Sequence, residues 1–427
     1  MRADCVHPVS PLNRVAYSGE IEGKHMEATD VWTLTSTALV LIMTPGLALF
    51  YGGLVRVRSV VNMMLFSVSA MGVVGMLWIL YGYSMSVFGE GDGWFAGNPF
   101  REFGLATTDP SEFIGVGFGA VFAMITTALI SGAIADRVGL GSWVLFSGVW
   151  ATLVYFPVAA WVWGGGWISQ LGSWLGTPEV IDLAGGTAIH INAGAAALAL
   201  AIVVGKRRDF ARGAHRPHSI PLVTIGAALL WFGWIGFNAG LATDAGTAGL
   251  ILVNTLGSPA AAIIGWLAID ALRGRKPGVI GAASGAVAGL VAITPAAANL
   301  APGFALLLGL LAGAACAFAI DWKFRLGYDD SLDVVGLHLV AGVLGTVYLG
   351  FFAFDDGLFT GGDAGLLLVQ VISVLGVVVY SFVASLLIAF GVKFTTGLRV
   401  PAEVEEGGID AAAHGEEAYA LDAGGRL

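Results

Sequence analysis

The chain has 427 residues, 57% of them hydrophobic and 12% charged, against about 25% charged residues in soluble domains. That balance excludes an ordinary soluble globular protein and points to a membrane protein that crosses the bilayer many times. The formal net charge of −10 comes mainly from short acidic loops and the C-terminal tail, and so implies no nucleic-acid partner.

In chain order, residues 1–27 form a polar extension without the continuous apolar core of a signal peptide. Met26, just ahead of Ala28-Thr29-Asp30, is the expected native start, with residues 1–25 as upstream sequence. A spanning helix needs about 20 apolar residues. Eleven such segments lie near residues 32–55, 60–88, 115–135, 142–163, 183–205, 219–242, 247–272, 279–297, 303–322, 332–354 and 366–395. The 63 glycines fall largely inside these segments, where small residues let helix backbones approach. Alternate loops carry bases: Arg56 and Arg58; Arg137; Lys206, Arg207, Arg208, Arg212 and Arg216; Arg273, Arg275 and Lys276; Lys323 and Arg325. The intervening loops carry acids and a single base, Arg101. Basic loops stay on the cytoplasmic side, so the N-terminus is expected outside and the C-terminus inside. The membrane domain then runs over 28–397, and 398–427 is a cytoplasmic tail.

One motif recurs. Asp182-Leu-Ala-Gly-Gly-Thr-Ala-Ile-His190-Ile-Asn-Ala-Gly194 opens the fifth segment, and Asp333-Val-Val-Gly336-Leu-His338-Leu-Val-Ala-Gly342 opens the tenth. The fifth runs inward and the tenth outward, so the fold expected is all-α, with a 5+5 inverted repeat plus a final helix. Such repeats place a shared site near the bilayer midplane. At about 1.5 Å per residue, His190 lies about 12 Å deeper than Asp182. A lone buried histidine is ordinarily a packing residue, but a repeat-related pair of intramembrane histidines marks a functional path. An apolar surrounding favours neutral imidazole, which donates one hydrogen bond and accepts another. That suits a small hydrogen-bonding solute or a proton relay, not an all-oxygen cation cage. Asp182 and Asp333 are read chiefly as helix caps, with cation ligation as the alternative.

Aromatic residues mark a second region at the outer side. Tyr155-Phe-Pro-Val-Ala-Ala-Trp-Val-Trp163-Gly-Gly-Gly166 ends the fourth segment, and Phe118 and Phe122 lie near the outer end of the third. Trp161 fits an interfacial aromatic belt. Trp163, beside three glycines, fits a cation–π surface facing a vestibule. Trp231-Phe-Gly-Trp234-Ile-Gly-Phe237-Asn-Ala-Gly240 is either packing or the lining of a narrow passage. The two cysteines, Cys5 and Cys316, make neither a disulfide framework nor a metal pattern. No phosphate-binding loop and no zinc motif is present, and no cofactor is expected.

Several of these segments, with two more, resemble the ammonium transporter (Amt) family. They are Met43-Thr-Pro-Gly-Leu-Ala-Leu-Phe-Tyr-Gly-Gly53, Phe122 to Arg137, Asp182 to Asn192, Trp234 to Gly240 and Asp329-Asp-Ser-Leu-Asp-Val-Val-Gly-Leu-His338. The resemblance implies a homotrimer in a bacterial or archaeal inner membrane, each subunit having its own pore for ammonium or ammonia. By motif match, His190 and His338 are the twin pore histidines, Phe122 and Phe237 a stacked gate, and Trp163 with Phe122 an outer ammonium cage. Tyr155 and Trp234 match further pore-lining positions, Phe118 lies one turn from the gate, and Asp182 matches a structural aspartate near the outer site. The family usually has a serine hydroxyl just after this F-N-A-G segment, where this chain has Leu241. Weaker recruitment of ammonium is therefore expected. Ala160 also stands at a commonly polar position. The tail segment Gly408-Ile-Asp410-Ala-Ala-Ala-His414-Gly415-Glu-Glu-Ala-Tyr419 resembles the family's regulatory segment, which implies a PII-type signalling protein as partner. The competing functions are an ammonium sensor with little flux and an intramembrane metal enzyme, for which the spans lack a third ligand.

Overall fold

A backbone surrounded by hydrocarbon must satisfy its own hydrogen bonds, so long apolar segments become helices. The computed structural model of the protein describes residues 26–212 and 216–419. Among them every regular element is helical, apart from one isolated antiparallel bridge between Val138 and Arg399. The segments are α1 (Ala28–Leu54), α2 (Val57–Met85), α3 (Pro110–Ile134), α4 (Leu140–Val162), α5 (Gly186–Val204), α6 (Ile220–Ala239), α7 (Ala245–Leu272), α8 (Val279–Ile293), α9 (Pro302–Leu326), α10 (Val335–Phe352) and α11 (Ala364–Thr395). Ten of these described helices are long and apolar enough to cross a membrane. The shorter α8, at 15 residues, takes the place of the remaining expected span. The expected extension before Met26, with Cys5, lies outside the described residues, as does the end of the tail.

Four helices contain π-helical turns: Trp78–Gly82 in α2, Ala151–Tyr155 in α4, Gly186–Ile191 in α5 and Val335–Leu339 in α10. Such wide turns are frequent at functional sites. Two of them carry the histidines.

At the basic end of the bundle the arginines do more than set orientation. Arg137 and Arg207 are buried rather than solvated in their loops. The Arg207 guanidinium holds both oxygens of Asp329 at 2.9 and 2.8 Å. The Arg207 backbone N–H donates to the same carboxylate at 2.7 Å. Arg137 lies 3.8 Å from Asp329 and donates to the Ser331 hydroxyl at 2.5 Å. Three loops, α3–α4, α5–α6 and α9–α10, are thereby tied together by one carboxylate. Burial acts to raise the Asp329 pKa, but the two guanidiniums outweigh it and hold the carboxyl below its ordinary range.

The tail is docked, although its composition alone describes a solvated acidic segment. α12 (Ala402–Gly407) is held by Glu405, which takes two bonds from Arg399 at 2.8 Å each and one from the Arg208 backbone N–H at 3.1 Å. Gly408 has φ +114 and lies against Arg58, so near that an added Cβ would fall 2.6 Å from the arginine Cβ. Only glycine accommodates both conditions. The Asp410 carboxylate then accepts the backbone N–H groups of Val61 and Asn62 at 3.0 and 2.9 Å, capping α2 from a distant part of the chain. The His414 Nε2 lies 2.9 Å from Asn62 Oδ1, and Gly415 ends the turn with φ +66. The Tyr419 hydroxyl lies 3.0 Å from His218 Nε2.

Asp329→Asn removes the carboxylate that two buried guanidiniums share, leaving Asp136 at 3.8 Å from Arg207, and is expected to cost about 3–5 kcal/mol, read by thermal unfolding in detergent. The lowered carboxyl pKa means that the wild-type contribution is present above about pH 4, the unfolded range, and is lost as pH falls through the folded value. Asp329→Asn removes that acid dependence. Asp410→Ala removes a helix cap worth about 0.5–2 kcal/mol. It should also expose the tail to protease faster than in the wild type, as timed digestion would show.

Candidate functional site

The α5 and α10 helices start inside the bundle, where their first N–H groups have no water to meet and require side-chain acceptors. At α5, Asp182 accepts the N–H groups of Gly185, Gly186, Thr187 and Ala188 at 2.8, 2.6, 2.8 and 3.2 Å. It also accepts the Thr187 hydroxyl. The carboxylate is thus spent on capping. At α10 the cap is Asp330, which accepts from Val334 at 3.1 Å and Val335 at 2.7 Å. The expected cap, Asp333, instead has a left-handed backbone with φ +64 and pairs with the Lys323 ammonium at 2.5 Å. Asp330 precedes His338 by eight residues, the same spacing that separates Asp182 from His190. The repeat therefore equates Asp182 with Asp330.

These caps aim two histidines at each other. The His190 and His338 rings lie 5.3 Å apart between centroids and 24° from parallel, with their Nδ1 atoms 3.3 Å apart. Two facing ring nitrogens make a hydrogen bond only when one is protonated and the other is not. The crossing that allows this contact is glycine-lined on both sides. A Cβ on Gly194 would meet the Leu339 backbone nitrogen at 2.6 Å, and one on Gly342 would meet His190 Cβ at 3.2 Å. His190 Nε2 is buried without a protein partner. The His190 residue borders a cavity of about 10 Å³ shared with His338, Trp234, Leu47, Ile125 and Val287. The Trp234 ring lies 5.5 Å from that of His190 at 23°, fixed by its indole N–H donating to Thr294 at 2.8 Å.

Two phenyl rings separate that cavity from a larger one. Phe122 and Phe237 stack at 4.3 Å and 6°. Phe118 lies 4.7 Å from Phe122, and Phe237 lies 6.2 Å from His190. Beyond the stack is a vestibule of about 400 Å³, lined among others by Phe118, Phe122, Tyr155, Trp163, Phe237 and Leu241. Trp163 is 41% exposed and meets Phe122 edge-on at 6.3 Å and 81°. Its indole N–H donates to the Asp182 carbonyl at 2.9 Å, so one residue both caps the histidine helix and orients the outer tryptophan. Tyr155 is buried, 6.5 Å from Trp78. Leu241 stands on the wall, 64% exposed. Ala160 is buried and borders neither cavity.

Trp161 departs from expectation. It is buried, donates to the Phe95 carbonyl at 2.7 Å and packs 4.6 Å from the Tyr380 ring, so it is internal packing rather than part of an interfacial belt.

The model of the Ammonium Transporter Family matches residues 31–419. An ammonium transporter of Mycobacterium tuberculosis strain H37Rv is 50% identical over 426 residues, covering 91% of this chain and 89% of its own. The chain belongs to the ammonium transporter family. Among solved structures, one titled "Sensor Amt Protein" superposes with a TM-score of 0.83 at 27% identity, covering 90% of this chain and 98% of its own. Saccharomyces cerevisiae Mep2 gives 0.80 at 30% identity, covering 90% and 92%. Family membership and the apolar spans make this a multi-pass cell-membrane protein of ammonium transport. Relatives named as transporters support a role other than enzymatic catalysis.

Set within the family fold, several site residues went unnoticed in the sequence. The sequence signal for Asp330 is its eight-residue spacing to His338, equal to that from Asp182 to His190. Trp78 and Tyr83 also line the vestibule, and their signal was the aromatic run that coincides with the π-turn of α2. Asn238 carried no signal beyond its place beside Phe237.

Asp330→Ala and Asp182→Ala are each expected to lose about 0.5–2 kcal/mol of stability through the uncapped helix. Asn at either position should recover only part of it, because one side-chain oxygen still accepts while the amide nitrogen stands against N–H donors that the second carboxylate oxygen had accepted. Thermal unfolding of the four variants in detergent checks this.

Proposed function

We propose that ammonium is captured between Trp163 and Phe122, gives up a proton on leaving the vestibule, and passes as ammonia along His190 and His338. The stacked Phe122–Phe237 pair above the narrow histidine-lined cavity carries this reading. A bare cation pays a severe desolvation cost in such a lumen. Ammonia does not carry that charge, and it meets in His190 Nε2 a polar atom that has no other partner. The tryptophan face beside the vestibule suits the cation, and the phenyl rings exclude water and larger solutes.

The end bearing Trp163 is then outside and the arginine-rich loops inside, as cytoplasmic retention of basic loops requires. We assign His190, His338, Phe122, Phe237, Trp163, Trp234, Tyr155 and Phe118 to capture and conduction, with Leu241 in the vestibule wall. The docked tail, residues 398–427, is assigned to regulation. Family resemblance supports a homotrimer and a PII-type signalling protein at the cytoplasmic face. A sensing role is the second reading, favoured by the likeness to the structure titled as a sensor.

Proteoliposomes containing wild type and a His190→Ala, His338→Ala double variant are to be assayed for ammonium-dependent flux and current together. The transport reading expects flux in the wild type and its loss or a changed charge-to-flux ratio in the double variant. Binding of ammonium without flux or current in the wild type would establish the sensor instead.

A further inference from the structure

The histidine cavity has a second end, toward the arginine-rich loops. α1 finishes there, and Tyr51 stands in its last turn. Tyr51 borders the histidine cavity and is 2% exposed. Its ring tip is tightly enclosed. A Cβ added to Gly132 would fall 2.7 Å from Tyr51 Cζ and 2.8 Å from Val334 Cγ2, so the ring meets the inner turn of α3 and the residue just before α10 at one point. The hydroxyl is tethered as well, donating to the Leu129 carbonyl at 3.0 Å. Backbone geometry explains why that carbonyl is free. α3 tightens into a 3₁₀ turn at Ser131–Ile134, which directs the Ala133 N–H to Ile130 rather than to Leu129. A carbonyl orphaned near a helix end takes a side-chain donor. The inner ring therefore differs from the outer pair. Phe122 and Phe237 carry no polar side-chain atom, whereas Tyr51 must break a hydrogen bond before it moves.

We propose that Tyr51 is a second closure, on the inner side of the histidines, latched by its hydroxyl on Leu129, and that the space between it and the phenyl stack works as an airlock. This inference rests on the transport reading above. The cavity of about 10 Å³ has room for roughly one water-sized molecule. With a closure at each end, a molecule inside it faces at most one open side at a time. A continuous file of water past the imidazoles would pass protons along with ammonia, because neutral histidine both donates and accepts. Two closures that open separately break that file. Exclusion of water and protons is thereby shared between the two ends of the cavity.

The test reads osmotic water permeability of proteoliposomes by stopped-flow light scattering. It compares wild type, an outer variant (Phe122→Ala with Phe237→Ala), Tyr51→Ala, and all of these changes together. Closures in series predict that the first three stay within about twofold of one another per incorporated protein, while the combination rises about tenfold or more, a strongly non-additive cycle. The proposal is overturned if either change alone matches the combination, or if the combination stays at the wild-type level. Tyr51→Phe isolates the latch, because it keeps the ring and removes only the hydroxyl. One ordinary hydrogen bond changes the open population by a factor of about two to ten, and Tyr51→Phe in the outer-variant background should raise water permeability by that factor. This variant carries the test where Tyr51→Ala does not fold, and a permeability it leaves unchanged sinks the latch. Water movement needs no ammonium, so these outcomes stand apart from the transport reading. A wild type without ammonium flux defeats that reading, and the closure is then judged by water alone.

Discussion

The structure depends on the close crossing of α5 and α10 within the membrane. Gly194 sets how near the helices come, since a Cβ there would meet the Leu339 backbone nitrogen at 2.6 Å, and Gly342 makes a tight second contact at 3.2 Å from His190 Cβ; each faces the residues around the opposite histidine. Once the crossing forms, the positions of the two rings follow with little freedom left. The π-turns that begin both helices add width where the rings must clear the backbone. Beginning a helix at that depth exposes its first amide groups, and each half of the repeat answers with one aspartate eight residues before its histidine.

Charge is segregated accordingly. Carboxylates near the lumen are committed to N–H groups or to Lys323, and the guanidiniums gather around Asp329 at one end. Between them lie the imidazole, indole and phenyl rings around the inner cavity. Intramembrane ionisable groups are tolerated when paired or when they line a functional path, and both conditions appear here in separate layers. Asp182 joins those layers to the vestibule, since its side chain starts α5 and its carbonyl orients Trp163.

Much of this was legible beforehand. All eleven apolar segments correspond to helices, because hydrocarbon leaves a long apolar backbone few alternatives. The histidine pairing was visible as a repeat, and the phenyl and indole positions as motifs. Pattern alone failed where two similar side chains competed for one job. Asp330 and Asp333 stand three residues apart, and only backbone direction decides which faces the helix start and which faces Lys323. Trp161 and Trp163 are two residues apart, and helical rotation sends one into packing and the other into the vestibule. The tail's docking was hidden for a related reason: an acidic composition does not reveal that Asp410 meets the start of a helix more than three hundred residues earlier.

The stacked phenyl rings have a kinetic consequence. At 4.3 Å they leave no standing aperture, yet opening one requires only torsion about side-chain bonds. Rotamer changes take picoseconds to nanoseconds when unhindered, whereas rocking of helix bundles takes microseconds to milliseconds. A path gated in this way has no need to alternate between two backbone states. On the transport reading proposed above, turnover is set by how often two crowded rings swing aside together, which joins a carrier's selectivity to a clock closer to that of a channel.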